Sequence, residues 1–344
     1  MEKTSLRNLV KTIGAVLLVT ILISAQDQQM RIGEIEFFGA SGKDLTTIRA
    51  SLPIREGDKI TFEAAPDAIQ RLKQTIVQLL HAEATDVAQV CCDSNGSWML
   101  YIGLPNQTNV GFRYHPVPKG SVQLPQSIVE LYKQTMSANM EAVLNGAAAE
   151  SRTTGYALST YPALRAKQLA TRQFAIRNQA LVSRALKFSA NAEQRWVAAH
   201  VLGYAMLSKQ QVAALVWASR DQNATVRNNA VRALAVLAQS SPKTAARIPA
   251  FGFVEMIRSG TWGDRNKAAF LMNSLTRPRN TKLLQTLRRG ALKSLLEMAH
   301  WRSPGHAYDA RIILGRIVGI EEQRLEQIVN AGQVDEIFDA FRDE

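Results

Sequence analysis

The spacing of apolar positions changes character three times along the chain. Residues 13–23 form an apolar run of eleven, IGAVLLVTILI, preceded by Lys3, Arg7 and Lys11 and followed by Ser24, Ala25 and a polar stretch from Gln26. Residues 30–104 then mix periods. Ile32, Ile35 and Phe37 make a strand-like run ended by Gly39, and residues 45–52 read as a short helix stopped at Pro53. A turn follows at 55–58. Residues 62–80 carry Ile69, Leu72, Ile76, Val77, Leu79 and Leu80 at helical spacing. Two strands, 86–92 and 97–104, are joined by Asp93-Ser94-Asn95-Gly96, and the Asn-Gly pair is a strong hairpin signal. From residue 126 onward the period is helical throughout. Residues 127–149 predict a helix, and 151–162 an irregular loop holding Tyr156 and Tyr161.

Residues 221–238 set the pattern for the rest: polar, turn-prone residues, with Asp221, Asn223 and Thr225 available as caps, lead into a short amphipathic helix. Its rule is R-x-x-A-x-x-x-L-x-x-L, met by Arg227, Ala230, Leu234 and Leu237. Arg195, Ala198 and Leu202 repeat it with Ala205 in the last place, Arg265, Ala268, Met272 and Leu275 with Met for Leu, and Ala307, Ala310, Leu314 and Ile317 without the arginine. The small alanine marks where a neighbouring helix must come close. Partner helices are expected at 209–218, at 242–258 (broken by Pro249) and at 281–299, with an earlier helix at 163–189 starting the array. No such pair buries its apolar stripe alone, so stacking is required.

The repeats at about 163–319 resemble HEAT and HEAT-like repeats, including the shorter variety of bilin lyases. That resemblance implies a curved binding surface and no particular chemistry. Residues 30–104, with Ile32, Ile35, Phe37 and Gly39 in front and Leu52, Gly57 and Asp58 later, resemble a polypeptide-transport-associated (POTRA) domain. The resemblance implies a small sheet with two helices on one face that binds extended segments at its edge, here the strand at 32–38 or the second strand. A single copy with no following β-barrel does not carry over outer-membrane assembly. The expected fold class is therefore α+β multidomain: a small POTRA-like α+β domain at 30–104, a Pro-rich linker at 105–125, a bridging helix and loop at 126–162, an all-α HEAT-like solenoid at 163–319 and acidic capping helices at 320–344.

Charge sharpens this. The net charge is +12, but residues 151–319 alone carry 26 basic against 6 acidic side chains, while residues 320–344 carry two against eight. Basic surface attracts anions, and the densest cluster on one predicted helix is Lys282, Arg288, Arg289 and Lys293, the candidate partner-binding residues. Arg195, Arg227 and Arg265 are expected to serve their own helix starts and loops. Basic flank, apolar core and small residues at Ser24-Ala25 read as a signal peptide over 1–25, with an inner-membrane anchor at 12–25 as the alternative. Either way the chain is expected to be exported, periplasmic or extracellular. Export and the absence of aromatic-interleaved basic motifs argue against nucleic acid.

The adjacent Cys91 and Cys92 are no disulfide framework, and a buried and an edge thiol, or an intermolecular disulfide, are the options. His81, His115, His200, His300 and His306 show no metal-ligand spacing, and no nucleophile elbow, phosphate loop or paired-carboxylate motif appears. No cofactor is expected. The expectation is an exported, non-enzymatic scaffold that binds a protein or peptide partner, with an anionic polymer or membrane headgroups as the alternative ligand of the basic repeats.

Overall fold

The computed structural model of the protein describes residues 29–93, 95–106 and 112–342, so the signal-peptide expectation for 1–25 lies outside the described residues. Among the described residues, no helix is long and apolar enough to cross a membrane.

The chain opens with a four-stranded mixed sheet. Its strands are β1 (Gln29–Phe38), β2 (Lys59–Thr61), β3 (Asp86–Val90) and β4 (Trp98–Gly103), in the order β2-β1-β4-β3. β1 and β4 run parallel and the two outer pairings are antiparallel. Helices α1 (Leu45–Ser51) and α2 (Ala65–Leu80) lie in the connections, α1 capped by Asp44, which accepts from the N–H groups of Thr46 and Thr47. The sequence did not suggest β2: its three residues follow the turn at 55–58 and pair only with Gln29 to Arg31. Ile35, Phe37, Leu100 and Ile102 pack against Ile48, Leu72 and Ile76 of the two helices. Phe38, Met99 and Tyr101 point the other way and join the core of the helical region. Both faces of the sheet are thus covered, which is why β4 reads as an unbroken apolar run and not as an alternation.

The rest of the described chain is helical except for a two-residue ladder between β5 (Glu150–Ser151) and β6 (Leu158–Ser159). α3 (Gln126–Leu144) packs on α4 (Pro162–Phe188), which kinks at Asn178. α5 (Ala192–Leu202), α7 (Ala224–Ser240), α10 (Trp262–Thr276) and α12 (Pro304–Ile317) pack successively on one another. They are backed by α4, α6 (Lys209–Ala218), α9 (Val254–Ile257) and α11 (Thr281–Ala299). The alanines of the repeated pattern, Ala198, Ala230, Ala268 and Ala310, are all fully buried, as close helix packing demands. Gly203 shows the same limit: a Cβ there would stand 2.9 Å from that of Ala233 on α7.

The stretch at 242–258 is broken, as Pro249 demands, into α8 (Pro242–Ala245), a 3-10 turn (Ala250–Phe253) and α9. α13 (Glu322–Asn330) and α14 (Asp335–Asp339) close on α12 through Leu325, Val329 and Ile337.

Three local expectations change. α3 ends at Leu144, with Asn145 and Gly146 hydrogen-bonding back to its last turn, and does not reach residue 149. The loop at 151–162 is partly ordered by the β5–β6 ladder. Cys91 and Cys92 are joined to each other in one disulfide, across a cis peptide bond, so neither is a free thiol.

Candidate functional site

Two sets of basic side chains must be told apart before a site is assigned. The first lies at the starts of the stacked helices. Arg195 donates through Nη1 to the carbonyls of Ser189 and Ala190, 3.0 Å each, in the loop before its own helix. Its Nε and Nη2 hold both oxygens of Asp221 at 2.7 and 3.0 Å. Arg227 repeats the device: Nη1 reaches the carbonyls of Asp221 and Gln222 at 2.9 Å, and Nε and Nη2 grip Asp264 at 2.8 Å. Arg265 bonds the Ser259 carbonyl at 2.6 Å and Glu297 at 2.8 Å. Each arginine therefore ties its own loop to a carboxylate of the next unit. All three are essentially inaccessible to solvent; charge-assisted contacts, bidentate at Arg195 and Arg227, offset the cost of burial, whereas Arg265 makes one contact to Glu297 and its buried Nη2 has no hydrogen-bond partner among the described residues.

The last link leaves the helical region. Glu297 also accepts the backbone N–H groups of Gly39 and Ala40, at 3.0 and 2.8 Å, at the end of β1. The fourth helix has Ala307 where the others have arginine, and Arg302 in the preceding loop crosses to the sheet instead. It donates to Glu36 at 2.8 Å, to Glu56 at 2.5 and 3.0 Å, and to the Ile35 carbonyl at 3.3 Å. Its hydrogen bonds hold the Glu56 carboxyl below the usual range against the opposing effect of burial. Trp301 adds an indole N–H to the Phe37 carbonyl. These contacts occupy the outer edge of β1 beyond β2. The expectation that 32–38 offers a free edge is corrected, while β3, the second strand of the expectation, does lie at the sheet's edge.

The segment after the sheet crosses the same loops. Tyr114 lies under the Arg227 guanidinium at 4.6 Å, and His115 stacks on Trp217 at 4.8 Å. The Ala190 N–H reaches the Gly120 carbonyl and the Leu124 N–H reaches Gln194, both at 2.7 Å. Residues 112–125 thus act as a strap along the arginine edge.

The second set lies on α11, where Lys282, Arg288, Arg289 and Lys293 are all exposed. The structure divides them. Arg288, Arg289 and Lys293 line a groove of about 700 Å³ that runs between α11 and the sheet, with Ser41 and Asn106 on the sheet side. Lys282 does not line it and stands over Phe251, 5.7 Å from the ring. Arg258, at the end of α9, is a groove residue the sequence did not suggest, and its buried Nε has no hydrogen-bond partner among the described residues. Only tertiary packing brings α9 against α11, so no spacing could have shown it. The groove's one acid, Glu297, is already engaged by Arg265 and two backbone N–H groups. Arg258, Arg289 and Lys293 face this volume, and among its lining residues no other acid stands beside them.

The histidines do not converge. His300 stacks on Phe338 at 4.0 Å, His306 contacts the Tyr101 hydroxyl at 2.6 Å through Nδ1, and His200 packs between Tyr132 and Tyr204. Among the described residues no cluster of three His, Cys, Asp or Glu is arranged for a metal ion. The chain matches no protein-family model, and no curated protein is similar to it in sequence.

Proposed function

We propose that the protein is an exported, non-enzymatic scaffold, and that the groove between α11 and the sheet holds an acidic segment of a protein partner. One observation carries this: Arg258, Arg289 and Lys293 share one groove in which Glu297 is already engaged. Charge complementarity selects acidic partners and speeds their encounter. A volume of about 700 Å³ between α11 and the sheet suits a narrow polypeptide better than a flat membrane surface. The successive packing of α5, α7, α10 and α12 supports a degenerate HEAT-like solenoid, and the sheet with its two helices supports a POTRA-like domain in which β3 is an edge strand. The basic, apolar and small-residue succession of 1–25 supports export to the periplasm or the extracellular space.

The test is fluorescence anisotropy of a labelled Glu-rich peptide with the full chain. Saturable binding is expected, weakened about tenfold in R289A/K293A, as loss of two complementary charges implies, and absent for the Gln-for-Glu peptide. Equal affinity of variant and parent would remove the groove from the reading. Binding to anionic vesicles or a long polyanion, with none to the peptide, would favour the alternative of an anionic polymer or headgroup surface.

A further inference from the structure

A second cleft, apart from the groove on α11, is lined from α7, α10 and α12 and by the loop that carries Arg152. It encloses about 490 Å³. Its walls include Arg232 of α7, Asn266, Lys267, Phe270 and Asn273 of α10, and His306 and Asp309 of α12.

The charges there are unevenly matched. Glu150, on β5, is saturated: Arg152 donates to one carboxylate oxygen at 2.7 Å and Arg232 to the other at 2.6 Å. Burial acts to raise the Glu150 pKa, and the two arginines outweigh it and hold the group ionised. Arg152 also lies over the Phe270 ring at 4.6 Å, which fixes its plane. Asp309 takes an amide hydrogen bond from Asn273 at 2.7 Å, and burial raises its pKa. Lys267 is the exception. Among the described residues its ammonium bonds only the Asn266 side-chain oxygen, at 2.7 Å, with no carboxylate in ion-pair reach. Burial and the neighbouring Arg232 charge lower its pKa to about 8. A half-buried amine without a counter-ion beside an open cleft is costly unless an anion completes it.

We propose that this cleft binds a carboxylate group, with Lys267 as its principal contact and the side chains of Asn273 and Arg152 beside it. The class of ligand follows from charge. Arg152, Arg232 and Lys267 against Glu150 and Asp309 leave one surplus positive charge when Asp309 is ionised, which suits a monoanionic carboxylate better than a dianionic phosphate. Glu150, beside the cleft, shows two of its arginines holding this kind of group. The carboxylate comes either from a free small acid or from an acidic side chain of a partner.

Isothermal titration of the full chain with butyrate, with a capped glutamate peptide and with inorganic phosphate separates these. Saturable heat is expected for at least one carboxylate probe and weaker binding for phosphate. Butyrate alone indicates a free acid, and the peptide alone a partner side chain. K267M is expected to weaken binding at least tenfold and K267R to keep it within about threefold. N266D places a carboxylate against the amine without changing shape and is expected to abolish binding, so the proposal stands or falls even where K267M does not fold. At pH 8 binding is expected to draw a fraction of a proton onto Lys267. Arg232 stays charged, Glu150 is held ionised, and His306, whose pKa burial lowers to about 4, does not titrate there. No binding of either carboxylate, tighter binding of phosphate, or unchanged affinity in N266D would overturn the proposal. R289A/K293A leaves this binding intact, which separates it from the groove on α11.

Discussion

The loop edge of the stacked helices and the α11 groove are both built from arginine, and they use it in opposite ways. Along the loop edge Arg195, Arg227 and Arg265 are buried, and each has a carboxylate from the next unit. In the groove Arg289 and Lys293 are exposed, and the adjacent acid is engaged elsewhere. A buried guanidinium must have its partner within the fold, because an unpaired one is strongly destabilising. An exposed one has water and is available to a ligand. The net positive charge of residues 151–319 is therefore not one property: part of it holds the helices in register and part of it faces outward.

This comparison is most sharply broken at Arg227. R227A strands Asp264 in the interior and is expected to cost about 3–5 kcal/mol, read by urea unfolding. R227M/D264L, which removes both charges, is expected to cost clearly less than the sum of the single variants. A cost below 1 kcal/mol for R227A would show that the loop edge is no more structural than the groove.

Next in size is E297Q, which weakens the tie of Arg265 to β1. We expect about 2–3 kcal/mol of lost stability, with faster hydrogen exchange at Gly39 and Ala40. Unchanged protection there would mean that the sheet is seated by its apolar face alone.

The buried histidines give a pH signature. Burial, aided by Arg232 at His200 and Lys267 at His306, lowers their pKa values to about 3 and about 4. Their ordinary value is near 6.5, so below that pH the unfolded chain binds protons that the folded chain refuses. Stability is then fully present above pH 6.5 and falls as pH drops through the folded values. Between pH 6.5 and 5 each contributes a loss of up to about 2 kcal/mol. Denaturant midpoints at pH 7 and pH 5 check this, and H200Q/H306Q is expected to flatten the difference.

The smallest effect on stability belongs to the groove. R289A/K293A is expected to change unfolding free energy by less than about 0.5 kcal/mol while losing most of the acidic-peptide affinity. A large stability loss would place these side chains with the structural set.

Much of the local structure was legible. The hairpin signal at Asn95-Gly96, the cap at Asn223 and the break at Pro249 all depend on nearby residues, and each lies where spacing and turn chemistry put it. The missed pieces depended on distant partners. β2 forms because Lys59 to Thr61 meet the start of β1, and the Cys91–Cys92 bond goes against the usual spacing preference of disulfides. Of the candidate site residues, Arg288, Arg289 and Lys293 share the groove, Lys282 stands apart at Phe251, and Arg258 came from another helix.

Periodicity, caps and breakers made the order of strands and helices readable from the chain, because these are properties of residues within a turn or two of one another. So was the charge imbalance between residues 151–319 and the acidic end. Which arginine is satisfied and which faces solvent was decided in three dimensions. Asp221, Asp264 and Glu297 lie 26, 37 and 32 residues beyond the arginines they hold. Arg302 meets Glu36 across 266 residues. The free energy of a charge depends on what stands within a few ångströms of it, and only the packing of the helices on one another and on the sheet sets those distances.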